Sequence, residues 1–89
     1  MFEEIADKFK SLGHPVRVQI VSGLLNNECS VNKISEGLNI PQAVVSRHLS
    51  ILKHSGIIQG VRSGNLICYH VCDKKIANIF SVIMDGVKK

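Results

Sequence analysis

Apolar positions recur along this chain with helical spacing over most of its length and with strand spacing in one stretch. Phe2, Ile5, Ala6, Phe9 and Leu12 follow i, i+3, i+4, i+7 and i+10, one face of a first helix that ends near Gly13. Pro15 opens a second helix, with Val16, Ile20 and Leu24 on one stripe and Val18, Val21 and Leu25 beside it. That wide apolar arc predicts the buried central helix, ended by Asn26 and Asn27. Glu28 and Cys29 read as extended, and Ser30 is a suitable N-cap for a short helix, Val31 to Leu38, with Ile34 and Leu38 facing inward. After a tight turn at Asn39 and Ile40 comes a longer helix. Beyond it the period changes: Ile57 to Arg62 and Asn65 to Val71 read as two strands joined by Ser63-Gly64. Asp73 then N-caps a last helix with Ile76, Ile79, Phe80, Ile83 and Val87 on one stripe and Lys88 and Lys89 at its C-terminal end.

The longer helix, Pro41 to Gly56, has two faces. Val45, Leu49 and Leu52 form a stripe that must pack against something. Ala43, Ser46, Arg47, Ser50 and His54 form a small, polar and basic one. Pro41 suits the first helical position, Gly56 the left-handed residue after the last turn, and Lys53 and His54 the positive charge favoured at a helix C-terminus. Alone, this segment fits either a helix lying in a DNA major groove or a solvated amphipathic helix. Its neighbours narrow the choice. A short helix, a turn and a longer helix make a helix-turn-helix over residues 31–56, and the hairpin over 57–72 supplies a basic-tipped wing. The predicted fold is mostly α with a small β-hairpin wing, a single winged helix-turn-helix domain over residues 1–89 in the order α-α-(β)-α-α-β-β-α.

With 89 residues the chain is one small domain, and oligomerisation is one way for it to gain core. The formal net charge of +4 suits a polyanionic partner, and its distribution says more. No Asp or Glu occurs between Gly37 and Cys72, whereas Arg47, Lys53, Arg62, His48, His54 and His70 do; Glu3, Glu4 and Asp7 lie early. That acid-free segment argues against a winged helix used only for protein–protein contact. No Ser-His-Asp or Cys-His arrangement, glycine-rich phosphate loop or carboxylate pair stands out, which argues against an enzyme. No apolar run approaches the roughly 18 residues of a membrane span, and the acidic, amphipathic N-terminus is unlike a signal peptide, so a cytoplasmic location and no membrane partner are expected. The three cysteines, an odd number without a CxxC, argue against a structural disulfide framework.

Over nearly its whole length the chain resembles the ArsR/SmtB-type winged-helix repressors. The matching residues are Lys10-Ser11-Leu12-Gly13-His14-Pro15 with Arg17 and Ile20, Ser30-Val31-Asn32-Lys33-Ile34, Pro41 to Leu49 with Leu52-Lys53 and Gly56-Ile57-Ile58, and Arg62, Gly64 and Cys68-Tyr69-His70-Val71. The resemblance implies a cytoplasmic homodimeric transcriptional repressor that binds an imperfect palindrome in double-stranded DNA and leaves it on an inducer signal. It implies a dimer interface on the first and last helices (residues 1–12 and 73–87), here Phe2, Ile5, Phe9, Ile76, Ile79, Phe80 and Ile83; the plain alternative is that both stripes pack within one copy. Base contact falls to Gln42, Ala43, Ser46 and Arg47, since Gln matches adenine, Arg guanine, Ser either, and a methyl the thymine methyl. Ala43 and Pro41 stand where the family often has Ser, which removes one donor at each place. Lys33, His48 and Lys53 suit phosphates, and Arg62 and Asn65 at the wing tip suit backbone or minor groove.

The family's familiar metal sites have no match here. Ser30 and Asn32 open the short helix, and on the last helix Lys75 stands where His is expected. Cys29, Cys68, His70 and Cys72 remain. Residues 68, 70 and 72 of one strand point to one face, and in a winged helix the extended segment before the short helix pairs with the second wing strand, which puts Cys29 across from Cys68. The resemblance makes these two a candidate thiol switch, because related repressors sense oxidants or reactive sulfur with paired cysteines. The alternatives are a thiophilic metal ion such as Zn or Cu(I) on Cys68, His70 and Cys72, and plain packing of free cysteines.

Overall fold

The computed structural model describes residues 1–85. Five helices and one hairpin follow in the order α1 (Phe2–Ser11), α2 (Pro15–Leu25), α3 (Val31–Leu38), α4 (Gln42–His54), β1 (Ile58–Ser63), β2 (Leu66–Val71) and α5 (Lys74–Met84). The expected stripe position Val87, and Lys88 and Lys89, lie outside the described residues.

Most boundaries have a local cause. The Ser30 hydroxyl accepts from Lys33 N and so caps α3, and the Asp73 carboxylate accepts from Lys75 N and Ile76 N and caps α5. Asn27 and Asn39 take left-handed φ values of 71° and 58° after α2 and α3. Gly56, at φ 81°, stops α4 one residue beyond its C-cap Ser55. Pro41 is the N-cap of α4 and not its first helical residue: its φ is −61° and ψ 147°, and its carbonyl accepts from Val44 N and Val45 N.

The hairpin differs from expectation by one residue at its turn. Ser63 pairs with Leu66, so the two loop residues are Gly64 and Asn65 and not Ser63 and Gly64. Gly64 has φ 64°, which a type II′ turn requires at its first central position and glycine adopts freely. This register packs Tyr69 and Val71 against the core, half-buries Ile67 on the same face, and leaves Cys68 and His70 exposed. It also sets Gly60 opposite Tyr69, where an added Cβ would come within 2.8 Å of the Ile67 side chain. The extended segment before α3 makes one backbone bond to the wing, Tyr69 N to Cys29 O at 2.9 Å, and no strand. Ser30 begins the α3 cap immediately afterwards and leaves no length for a ladder.

The core lies between α2, α3, α4 and α5 and the start of the wing: Ile20, Val21, Leu24, Ile34, Val45, Leu49, Leu52, Ile57, Ile58, Ile76 and Phe80 are buried. All three apolar-stripe residues of α4 are therefore buried. Leu25, expected beside the central stripe of α2, is exposed instead, because α2 ends there. Ile76 and Phe80 close the core from the α5 side at 4% and 6% exposure, which corrects their assignment to a dimer surface.

Candidate nucleic-acid interface

Because Val45, Leu49 and Leu52 anchor one side of α4, Gln42, Ala43, Ser46, Arg47, Ser50 and His54 are all exposed on the other. The turn before this helix is held by Ser35 Oγ, which donates to Ile40 O at 2.5 Å. Gln42 is not loose: its side-chain amide donates to Asn32 Oδ1 on α3. Its carbonyl oxygen and second N–H stay available, the acceptor–donor pair that matches an adenine edge. Lys33 is exposed on the first turn of α3, Lys53 on the last turn of α4, and Arg62 and Asn65 at the wing tip. The exposed face of α4 carries no carboxylate, in keeping with the acid-free stretch of sequence.

His48 is half-buried on the border of that face and faces α2. Arg17 Nη1 lies 3.2 Å from its Nδ1, Arg17 Nε donates to Ser11 O at 2.6 Å, and the His14 ring stands 4.8 Å from the His48 ring, tilted by 52°. His14 is also the N-cap of α2, its Nδ1 accepting from Val16 N at 3.1 Å. Burial, and then the neighbouring basic side chains of His14, Arg17 and Arg47, hold the His48 pKa below the usual histidine value.

Around the C-terminal end of α4 the chain is cross-braced. Ser11 and Ser55 hydroxyls are hydrogen-bonded, and Lys8 Nζ donates to Asp73 Oδ2 at 2.5 Å. That ion pair raises the Lys8 pKa and lowers that of Asp73, each mainly through the hydrogen bond between them. It is the only ion pair among the described residues.

Cys29 and Cys68 are joined by a disulfide across a Cα–Cα distance of 4.8 Å and a sequence separation of 39. The bond ties the residue before the α3 cap to the middle of β2, beside the Tyr69–Cys29 backbone bond. Cys72 is a free thiol whose Sγ points to Gly56 O at 3.5 Å, on the far side of the wing base. Cys68, His70 and Cys72 are not gathered into one ligand set, and among the described residues no group of three metal-binding side chains occurs. Cys72, one residue past the end of β2, donates its N–H to Ile57 O at 2.9 Å in the register of the hairpin, and it is half-buried where Cys68 and His70 are exposed.

Sequence reasoning did not single out His14, Arg17 or Asn32 as site residues. Arg17 and His48 are 31 positions apart and Gln42 and Asn32 are 10 apart, so no local spacing links them. The one local signal was His14 before Pro15, a polar residue in N-cap position.

Residues 14–59, from the cap of α2 into β1, match the model of the family described as bacterial regulatory protein, arsR family. The transcriptional repressor SmtB of Mycobacterium tuberculosis is 33% identical over 87 residues, which are 98% of this chain and 62% of that protein. This chain therefore spans less than two thirds of that relative. The crystal structure of the transcriptional repressor BigR from Xylella fastidiosa is 30% identical, with a TM-score of 0.85 over 98% of this chain and 89% of that one. A solution structure from Mycobacterium bovis, described as a homodimeric winged helix-turn-helix DNA-binding domain, has the same fold at a TM-score of 0.87, 23% identity and coverage of 97% and 80%. Among the described residues no helix is long and apolar enough to cross a membrane. The fold is a winged helix-turn-helix, and the chain belongs to the arsR family of bacterial regulatory proteins.

Proposed function

We propose that the chain is a homodimeric, sequence-specific DNA-binding transcriptional repressor of the cytoplasm, and that the redox state of Cys29 and Cys68 governs its hold on an imperfect palindromic operator. The observation that carries the DNA reading is the exposed, carboxylate-free face of α4, with Gln42, Ala43, Ser46 and Arg47 at the base-reading end. Lys33, His48, Lys53, Arg62 and Asn65 surround it as backbone or wing contacts. A helix of this kind enters the major groove end-on or side-on, and the phosphates on either side supply most of the affinity. The names of the relatives, repressors and a DNA-binding domain, support the same reading.

A duplex selected by the chain from a random pool tests it. Binding that falls steeply with salt and loses roughly 10- to 100-fold per half-site on Arg47→Ala is expected, since a bidentate Arg–guanine pair contributes about 1–3 kcal/mol. Unchanged affinity of Arg47→Ala would remove Arg47 from the reading face.

The redox part rests on where the disulfide lies. α3 and the wing flank α4, and Cys29–Cys68 is a covalent strut between them. Formation of the bond takes two electrons and two protons from the thiols to an oxidant, and it fixes the angle of the wing against α3. Oxidised protein is expected to leave the selected duplex. Cys29→Ser, which cannot form the strut, is expected to bind alike with and without diamide or polysulfide. Equal affinity of oxidised and reduced wild type would reject the switch.

A further inference from the structure

The cluster His14, Arg17 and His48 is built like an anion site and has no anion partner among the described residues. We propose that these three side chains bind a DNA backbone phosphate on the border of α4 opposite to α3. The inference rests on the DNA-binding reading above and adds to it two residues, His14 and Arg17, on a different helix from the base-reading face.

The donors follow from the hydrogen bonds. A guanidinium only donates, so the Arg17 Nη1 contact at 3.2 Å makes His48 Nδ1 the acceptor, and the proton of the neutral ring sits on Nε2. The bond from Val16 N makes His14 Nδ1 an acceptor as well and puts its proton on Nε2. Two imidazole N–H donors thus stand on rings 4.8 Å apart. Arg17 uses its Nε–H on Ser11 O and one Nη1–H on His48, which leaves three of the five guanidinium N–H donors unassigned. The groups beside His48 are His14 and Arg17 from the α2 end and Arg47 from its own helix; all are basic side chains, and the two arginines carry positive charge. A phosphate oxygen relieves that repulsion and accepts from the free N–H groups, whereas a carboxylate does so nowhere in this cluster.

The position fits the groove. At about 100° per residue, Gln42 and His48 lie on opposite borders of the exposed face of α4, on either side of Ala43, Ser46 and Arg47. Gln42 meets α3 through Asn32, and His48 meets the start of α2. A helix in the major groove has a phosphate strand along each border. The first turn of α3, with Lys33, faces one strand, and the His14–Arg17–His48 cluster faces the other.

The test uses the full chain with Cys29 and Cys68 kept reduced, the duplex it selects from a random pool, and an unrelated duplex of equal length. Arg17→Gln is expected to weaken binding to both duplexes by a similar factor, about tenfold at 0.15 M salt, and to lower the slope of log affinity against log salt by about 1. His14→Asn keeps a good N-cap, removes the ring donor, and is expected to weaken both duplexes severalfold. Arg47→Ala should differ by reducing the preference for the selected duplex. If Arg17→Gln is folded and keeps the wild-type slope, or weakens only the selected duplex, the phosphate assignment is overturned. If Arg17→Gln does not fold, His14→Asn decides, and wild-type affinity for both duplexes overturns the assignment. Absence of any duplex binding by the wild-type chain would overturn the DNA reading and this inference together, an outcome distinct from either variant result.

Discussion

At the residue scale, two ionisable groups tie pH to the fold with the same sign. His48 has a folded-state pKa below its ordinary value, first because it is half-buried and then because His14, Arg17 and Arg47 surround it. The unfolded chain therefore takes up that proton before the folded chain does. The stability His48 contributes is present above about pH 6.5 and is lost as pH falls through the folded-state value. Protonation also places a hydrogen on Nδ1, where Arg17 needs an acceptor. The midpoint of denaturant unfolding is expected to fall between pH 7.5 and 5.5, and His48→Gln should flatten that decline; an equally steep decline in the variant would place its source elsewhere. Asp73 acts at lower pH. Its depressed pKa means that its contribution is present above about pH 4 and is lost as pH falls further, while the raised Lys8 pKa keeps the partner charged until pH rises past the usual lysine range. Because one Asp73 oxygen caps α5 and the other meets Lys8, the two roles separate by substitution. Asp73→Ala should cost about 1–2 kcal/mol at neutral pH from the cap. Asp73→Asn should keep most of that and lose the acid dependence, as thermal unfolding at pH 3.5 and 7 will show.

The disulfide acts at the scale of elements. It closes a loop between positions 29 and 68, which holds α3, α4, β1 and the start of β2. Restricting the unfolded chain by a loop of that length contributes about 4 kcal/mol in the chain-entropy model. In a domain this small, that is a large share of the total. Reduction is expected to lower unfolding stability by about 2–4 kcal/mol, with Cys29→Ser insensitive to reductant; no change on reduction would mean that the bond adds nothing to the fold. The helices themselves were legible in sequence, since each has an apolar stripe and most have a cap or a stop in the same local segment: Ser30, Asp73, Asn27, Asn39 and Gly56 all sit where their chemistry predicts. The hairpin turn was off by one residue because Ser63, Gly64 and Asn65 all favour turns. Only the inward alternation of Ile67, Tyr69 and Val71 decides the register. The roles of Arg17 and Asn32 were hidden for another reason: their partners, His48 and Gln42, come from other helices.

For the whole molecule, the last helix shows what a stripe leaves undecided. Ile76, Ile79, Phe80 and Ile83 read alike in sequence, yet Ile76 and Phe80 are in the core, Ile79 packs against it, and Ile83 is 63% exposed. A helical period tells which residues share a face, and tertiary packing settles how far along the helix the core reaches. What stays outside is a joined set of reasons for a second copy: Phe2, Ile5 and Phe9 on α1 are 82%, 47% and 55% exposed, and Val82 on α5 is 75% exposed. Single exposed apolar residues are ordinary, but five on the two terminal helices of one small domain fit the proposed pairing with a second copy. The same α1 is braced to α4 through Ser11–Ser55 and through Ser11 O, Arg17 and His48. A pair of copies joined at α1 and α5 would therefore carry its two α4 helices in a set relation, as a palindrome with half-sites about one DNA turn apart requires. Phe9→Asp tests this, because it places a charge on the outward stripe and leaves the core untouched. Burying one phenylalanine contributes about 2–3 kcal/mol, and two-fold symmetry counts it twice, so the variant should sediment as a folded monomer at micromolar concentration while the wild type sediments as a dimer. The monomer should bind a single half-site duplex as the wild-type protomer does and lose the tighter binding to the full palindrome. A wild-type monomer at that concentration, or a Phe9→Asp variant that keeps full palindrome affinity, would show that the terminal helices do not set the spacing.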